Sequence, residues 1–144
     1  MNIDKKRITQ YLHDILSNTR DIENLLKEYG DDEIIGNKHL LKSLKYSLLE
    51  ISEAMSLVLQ HVLAKQHGIP VKGYIDTIKR ASEYNIIPQE LSISLKPFFD
   101  FRNALVHRYR TIDNKKLLDN CKSGLKDFFT FIETIEKFLS DIKA

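Results

Sequence analysis

Apolar residues along this chain recur at alternating steps of three and four, the spacing that lays one stripe along an α-helix. The first stripe is Ile8, Leu12, Ile15, Thr19, Ile22, Leu26 and Tyr29, which predicts a helix over residues 4–29. Asn2 or Asp4 can cap its start, and Gly30 supplies the stop. A second stripe, Leu41, Leu44, Leu48, Ile51, Met55, Val58 and Val62, predicts a helix over residues 37–67, ending at the Gly68-Ile69-Pro70 break. Leu40, Leu49, Leu59 and Leu63 widen that stripe, so the helix is expected to be buried against two neighbours and across a dimer interface.

A shorter amphipathic segment over residues 71–85 carries Tyr74, Ile75, Ile78 and Ala81 on one side. Pro88 fits the first turn of the helix that follows, in which Leu91, Leu95, Phe98, Phe101, Arg102 and Leu105 keep helical register. Pro97 lacks an amide hydrogen and collides with the carbonyl four residues back, so it is expected to kink that helix or split it in two. After a turn at 111–114, with Asp113 as cap, the last stripe runs Leu118, Cys121, Leu125, Phe128, Ile132, Ile135, Leu139 and Ile142. Gly124 inside it should cost about 1 kcal/mol relative to alanine, which a close approach by another backbone would explain. No segment alternates with a period of two. The expected fold is therefore all-α, an antiparallel bundle of four to five helices with short connections.

Composition narrows the function more than the fold. At 144 residues, 42% of them hydrophobic, the chain is expected to be one helical domain, 1–144, with a core of its own. A formal charge of +2 gives no global case for nucleic-acid binding, so any RNA affinity must come from local clustering. The lone Cys121 excludes an internal disulfide and, lying within an apolar stripe, reads as a small buried residue rather than a nucleophile. Neither an apolar signal core nor a bilayer-spanning run is visible, and a soluble, cytoplasmic protein is expected.

Chemistry concentrates between residues 97 and 114, where Arg102, Asn103, His107, Arg108, Tyr109 and Arg110 follow the aromatic cluster Phe98, Phe99 and Phe101. Arginine forks onto phosphate oxygens, and histidine exchanges protons near neutrality; together they can hold a phosphodiester and move protons around it without a metal. Asn103 and His107 share a helix face, whereas Arg102 and His107 lie about 140° apart around the axis. Those two meet over one phosphate only if the helix ends near His107 or two copies of the site combine. The competing structural account has the cations merely solvating a helix end.

Other polar residues are weighed in the same way. Tyr46, Glu50, Glu53 and Gln60 fit a solvated helix face, the alternative being that Glu50 or Glu53 pairs with Arg102 and orients it. Lys72, Lys79 and Arg80 fit a solvated surface, or else a basic rim extending toward Arg108 and Arg110. His13 reads as a surface or satisfied histidine, and His61 and His67 do not have the i, i+4 spacing of a helical metal pair, so no metal is expected.

The run Arg102-Asn103-Ala104-Leu105-Val106-His107-Arg108-Tyr109 resembles the signature of the HEPN superfamily, and more closely its HepT-like branch of toxin ribonucleases. The resemblance extends through Gly68-Ile69-Pro70, the 74–85 segment, Ile86-Ile87-Pro88 and Ile112-Asp113, and so covers nearly the whole chain. It implies a metal-independent endoribonuclease, without cofactor, that forms a homodimer with Arg and His of both protomers lining one groove. It also implies a small nucleotidyltransferase antitoxin as partner, adding AMP to the motif's tyrosine, here Tyr109. Pro97 departs from the pattern and bears on the path of the motif helix.

On this reading Arg102 and His107 are the catalytic pair, Asn103 and Tyr109 support them, and Arg108 and Arg110 contact RNA. His107 would take the proton from an RNA 2′-hydroxyl while Arg102 stabilises charge on the phosphate oxygens, leaving a 2′,3′-cyclic phosphate. The alternative is a non-catalytic nucleotide-binding or substrate-presenting partner of a nucleotidyltransferase. A purely structural helical dimer leaves the cluster from Arg102 to Arg110 unexplained.

Overall fold

The computed structural model describes residues 2–107 and 112–142, with side chains for all of these except Val106 and His107. Among the described residues it is entirely helical: α1 (Lys5–Glu28), α2 (Asp31–Ile35), α3 (Lys38–His67), α4 (Tyr74–Glu83), α5 (Gln89–His107) and α6 (Asn114–Asp141). The start of α1 fixes the directions of the long helices. Asp4 caps it by accepting from the Arg7 N–H at 3.1 Å. The Asp4 N–H itself donates to His61 Nε2 near the end of α3 (3.0 Å), and Lys5 Nζ donates to the Ile142 carbonyl beyond the end of α6 (3.2 Å). α1 therefore runs antiparallel to both.

α3 is the central element and touches each of the other five helices. Its whole predicted stripe, Leu41 to Val62, is buried together with Leu59 and Leu63. Asn37 starts it by accepting from the His39 and Leu40 amides at 2.9 and 3.2 Å. Gly68 ends it at φ +63°, a left-handed conformation that glycine adopts at no steric cost. Asp113 caps α6 in the same manner as Asn37, accepting from the Lys115 and Lys116 amides at 3.0 and 3.2 Å.

Six helices stand where four to five were expected, and the extra one is α2. Five residues span little more than one turn, too short for a periodic stripe to show. It is held by tertiary contacts instead. Ile34 is fully buried, and Lys122 Nζ of α6 pairs with Asp31 Oδ2 at 2.6 Å.

Pro97 does not split its helix: α5 is continuous from Gln89 to His107. The carbonyl that loses its donor belongs to Ile93, which is 65% exposed, and Pro97 is exposed as well, so water can replace the missing bond. Burial of Leu95, Phe98 and Phe99 on the opposite side holds the helix together through its weak point. Ser52 of α3 adds a polar tie, its Oγ donating to the Leu48 carbonyl at 2.8 Å and reaching the Phe98 carbonyl at 3.1 Å.

Gly124 is explained by an aromatic ring rather than by another backbone. A Cβ built there would lie 2.5 Å from Phe98 Cζ and 2.9 Å from Phe128 Cζ, inside van der Waals contact. Those two rings stack edge to face with centroids 4.8 Å apart and cannot both retreat. Gly124→Ala should therefore lose more from overpacking, about 1–3 kcal/mol, than the roughly 1 kcal/mol it gains in helix propensity. A urea melt should show a lower midpoint, and a raised one would mean that the Phe98 ring is free to move.

His61 makes stability depend on pH. Burial first, then the charges of Arg7 and Lys65, hold its pKa below the ordinary imidazole value of 6.5. A histidine with a depressed folded pKa takes up its proton more readily once the chain unfolds, so stability is full above about pH 6.5 and falls as the pH drops below it. Protonation also removes the Nε2 lone pair that accepts from Asp4. The melting temperature should fall between about pH 7.5 and 5.5, and His61→Gln, which keeps an acceptor without a titrating ring, should flatten that slope. An unchanged slope in the variant would assign the effect elsewhere.

No helix among the described residues is long and apolar enough to cross a membrane.

Candidate functional site

Arg102, Asn103 and His107 lie on the second half of α5, and the buried Phe98 and Phe99 set how this half faces the bundle. Three residues after Phe99, on the same face, comes Arg102. Its side chain is only 22% exposed. The guanidinium carbon sits 4.0 Å from the centre of the Tyr74 ring at the start of α4, and Nε lies 3.7 Å from Glu53 Oε1 on α3. Three helices thus converge on one cation.

The contact with Glu53 is an ion pair but too long for a hydrogen bond. Arg102 Nε is buried and has no hydrogen-bond partner among the described residues. A buried donor left this way costs about 1–3 kcal/mol, and such groups concentrate where a site serves function rather than stability. The account in which Arg102 simply solvates a helix end does not fit a stacked, ion-paired and largely buried side chain.

Of the two acidic candidates on α3, Glu53 pairs with Arg102, whereas Glu50 accepts from the Tyr46 hydroxyl at 3.0 Å. That hydrogen bond, and then the carboxylate's charge, push the Tyr46 phenol up from its ordinary pKa. The bare solvated face expected for these residues is therefore only part of what they form. Asn103 lies on α5 partly buried. His107 is on α5 with its imidazole outside the described side chains, and Arg108, Tyr109 and Arg110 lie outside the described residues.

The proposed basic rim is only partly free. Arg80 is drawn to Asp76 at 3.4 Å, while Lys72 and Lys79 are exposed. A hollow of about 520 Å³ opens between α5 and the start of α6, lined in part by Pro97, Asp100, Ala104, Asp113 and Lys116. Ala104 is about 200° around α5 from Arg102, so this hollow is on the far side of the helix. Among the described residues its lining has two carboxylates and one cation, which is poorly suited to phosphate. Cys121 is fully buried, and burial pushes its thiol up to about 12, which removes it as a nucleophile.

Tyr74 was not singled out by sequence as a site residue. It falls in register with the apolar side of α4, beside Ile75 and Ile78, and 28 positions separate it from Arg102. An aromatic residue at the first turn of a helix is too common a feature to mark it. What the arrangement offers chemically is a planar cation with one face on an aromatic ring and its Nε edge toward a carboxylate. The Nη groups of a guanidinium are donors able to fork onto an anion.

Comparison with known proteins places the fold in a family. The family model described as Ribonuclease HepT-like matches residues 15–135. The mRNA nuclease HepT of Shewanella oneidensis is 29% identical over 119 residues, which cover 81% of this chain and 89% of that protein. The structure of the tri-AMPylated Shewanella oneidensis HEPN toxin in complex with MNT antitoxin superposes with a TM-score of 0.83. It is 25% identical and covers 95% of this chain and 99% of the toxin. A toxin–antitoxin crystal structure with AMP-PNP shares the fold at a TM-score of 0.81 and 23% identity, covering 92% of this chain and 98% of that one. With the match running through α3, α4, α5 and most of α1 and α6, the chain belongs to the HepT-like ribonuclease family.

Proposed function

We propose that this chain is the endoribonuclease of a toxin–antitoxin pair, cutting RNA without a metal ion. The observation that carries the reading is the restrained Arg102 guanidinium, five residues before His107 on one helix, in a chain of this family. His107 takes the proton from a 2′-hydroxyl, O2′ attacks the adjacent phosphorus, and the bond from phosphorus to the 5′-oxygen breaks. Arg102 stabilises the negative charge that gathers on the phosphate oxygens. The 5′-oxygen leaves with a proton supplied by His107 of a second copy, because one imidazole per chain cannot be base and acid together in the same step. A homodimer is therefore part of the proposal, with both motif helices facing one groove. Asn103 holds His107 or a phosphate oxygen, and Arg108 and Arg110 contact the RNA backbone.

Tyr109 has two roles in this reading: it contacts the RNA and receives AMP from a small nucleotidyltransferase antitoxin. Attached AMP adds bulk and negative charge beside the phosphate pocket and so excludes RNA. The tri-AMPylated state of the Shewanella toxin supports this form of control.

The test is incubation of purified protein with RNA in EDTA. Cleavage should persist, yield 2′,3′-cyclic phosphate and 5′-hydroxyl ends, and stop at a position carrying a 2′-deoxy sugar. Nucleotide binding without any cleavage would instead make the chain a substrate-presenting module. Labelled ATP with the nucleotidyltransferase should mark the peptide that contains Tyr109, and label on another peptide would reject that assignment.

A further inference from the structure

Tyr74 is held more firmly than its place at a helix start requires. The residue before it, Gly73, has φ +91°, a conformation that L side chains rarely adopt, and this lets the chain turn sharply into α4. The first turn is then pinned. Thr77 Oγ1 donates to the Gly73 carbonyl at 2.7 Å, and Asp76 Oδ2 accepts from the Lys72 N–H at 2.9 Å. Phe99 of α5 meets the Tyr74 ring edge to face, with centroids 6.3 Å apart and planes at 67°. On the same face of α5, one turn on, Arg102 lies against that ring at 4.0 Å.

We infer that Tyr74 is a positioning residue for catalysis: its ring, backed by Phe99 and with Glu53 at the guanidinium edge, fixes Arg102 in the orientation that meets the phosphate. This inference rests on the nuclease reading above. An arginine side chain has many rotamers to lose, and electrostatic stabilisation of a transition state is effective only when its donors are already in place. A ring face restrains the guanidinium plane, and the carboxylate at 3.7 Å restrains rotation within that plane. The same two attractions account for a buried Nε that has no hydrogen bond among the described residues. The ring acts through its π face, over which the guanidinium carbon sits; burial raises the phenol's pKa from its ordinary value, and the adjacent Arg102 opposes that rise.

Three variants of the full-length chain test this: Tyr74→Phe, Tyr74→Leu, and Tyr74→Met as a second apolar filler should leucine disturb packing. Each is measured for melting temperature, for RNA cleavage, and for the Arg102 Nε–Hε resonance, assigned by its loss in Arg102→Ala. In the wild type and in Tyr74→Phe the ring should shift that proton upfield, with kcat within about twofold of each other. In the leucine and methionine variants the shift should vanish and kcat should fall about tenfold with little change in KM, the scale of one partly desolvated cation–π contact. In an Arg102→Ala background the same changes should cost nothing further.

Wild-type cleavage with full kcat in the leucine or methionine variant overturns the inference and leaves the nuclease reading standing. Equal losses in Tyr74→Phe and Tyr74→Leu also overturn it, because the hydroxyl and not the ring would then matter. If the wild type cleaves no RNA, the nuclease reading fails by itself. The resonance then decides the remainder, and an Hε shift indifferent to the ring sinks the positioning role.

Discussion

His107→Ala is expected to lower RNA cleavage by about 10²- to 10⁴-fold, the range in which a positioned general acid or base contributes. In the proposed dimer one substitution removes both proton-transfer groups, the base from one copy and the acid from the other, so the loss should lie toward the upper end. Helicity and the mass of the assembly should be unchanged, because the described core is built from apolar residues of all six helices. Mixed dimers carrying one variant and one wild-type chain would be informative. If they retain half or more of the wild-type rate, the acid and base do not come from two copies.

Arg102→Ala should cost about 10²- to 10³-fold in kcat, the effect of deleting one preorganised donor aimed at developing charge. Arg102→Lys should recover little, since an ammonium neither forks onto two phosphate oxygens nor stacks as a plane on Tyr74. Stability should scarcely change. Removing the cation leaves Glu53 without its partner, but that side chain is 37% exposed and can be solvated, and pairs of this kind contribute about 0–1 kcal/mol. Loss of the buried Nε, which has no hydrogen-bond partner among the described residues, offsets part of even that. Thermal melts alongside single-turnover cleavage separate the two effects, and a large drop in melting temperature with a small drop in rate would make Arg102 a structural cation.

Local rules failed where packing had the final word. Pro97 is a helix breaker by its own chemistry, yet its orphaned carbonyl faces water and the flanking Leu95, Phe98 and Phe99 are buried, so the helix continues. Gly124 is costly in a helix by propensity, yet it makes the space that the Phe98 ring occupies. In each case packing outweighs the residue's own preference: around Pro97 through the burial of its flanking residues, and at Gly124 through a ring of another helix.

The sequence by itself determined the five long or mid-length helices, the break at Gly68 and the cap at Asp113, because helical periodicity and end chemistry act over a few residues. It also marked Arg102 and His107 as candidate chemistry, through their residue types and the resemblance of the run around them to a family signature. Only the tertiary structure decided which carboxylate meets Arg102 and that Tyr74 lies beneath it. Glu53, Tyr74 and Arg102 come from α3, α4 and α5, and no local pattern relates residues on separate helices. Their meeting is set by how the buried stripes of those helices pack against one another, which is a property of the whole core and not of any segment within it.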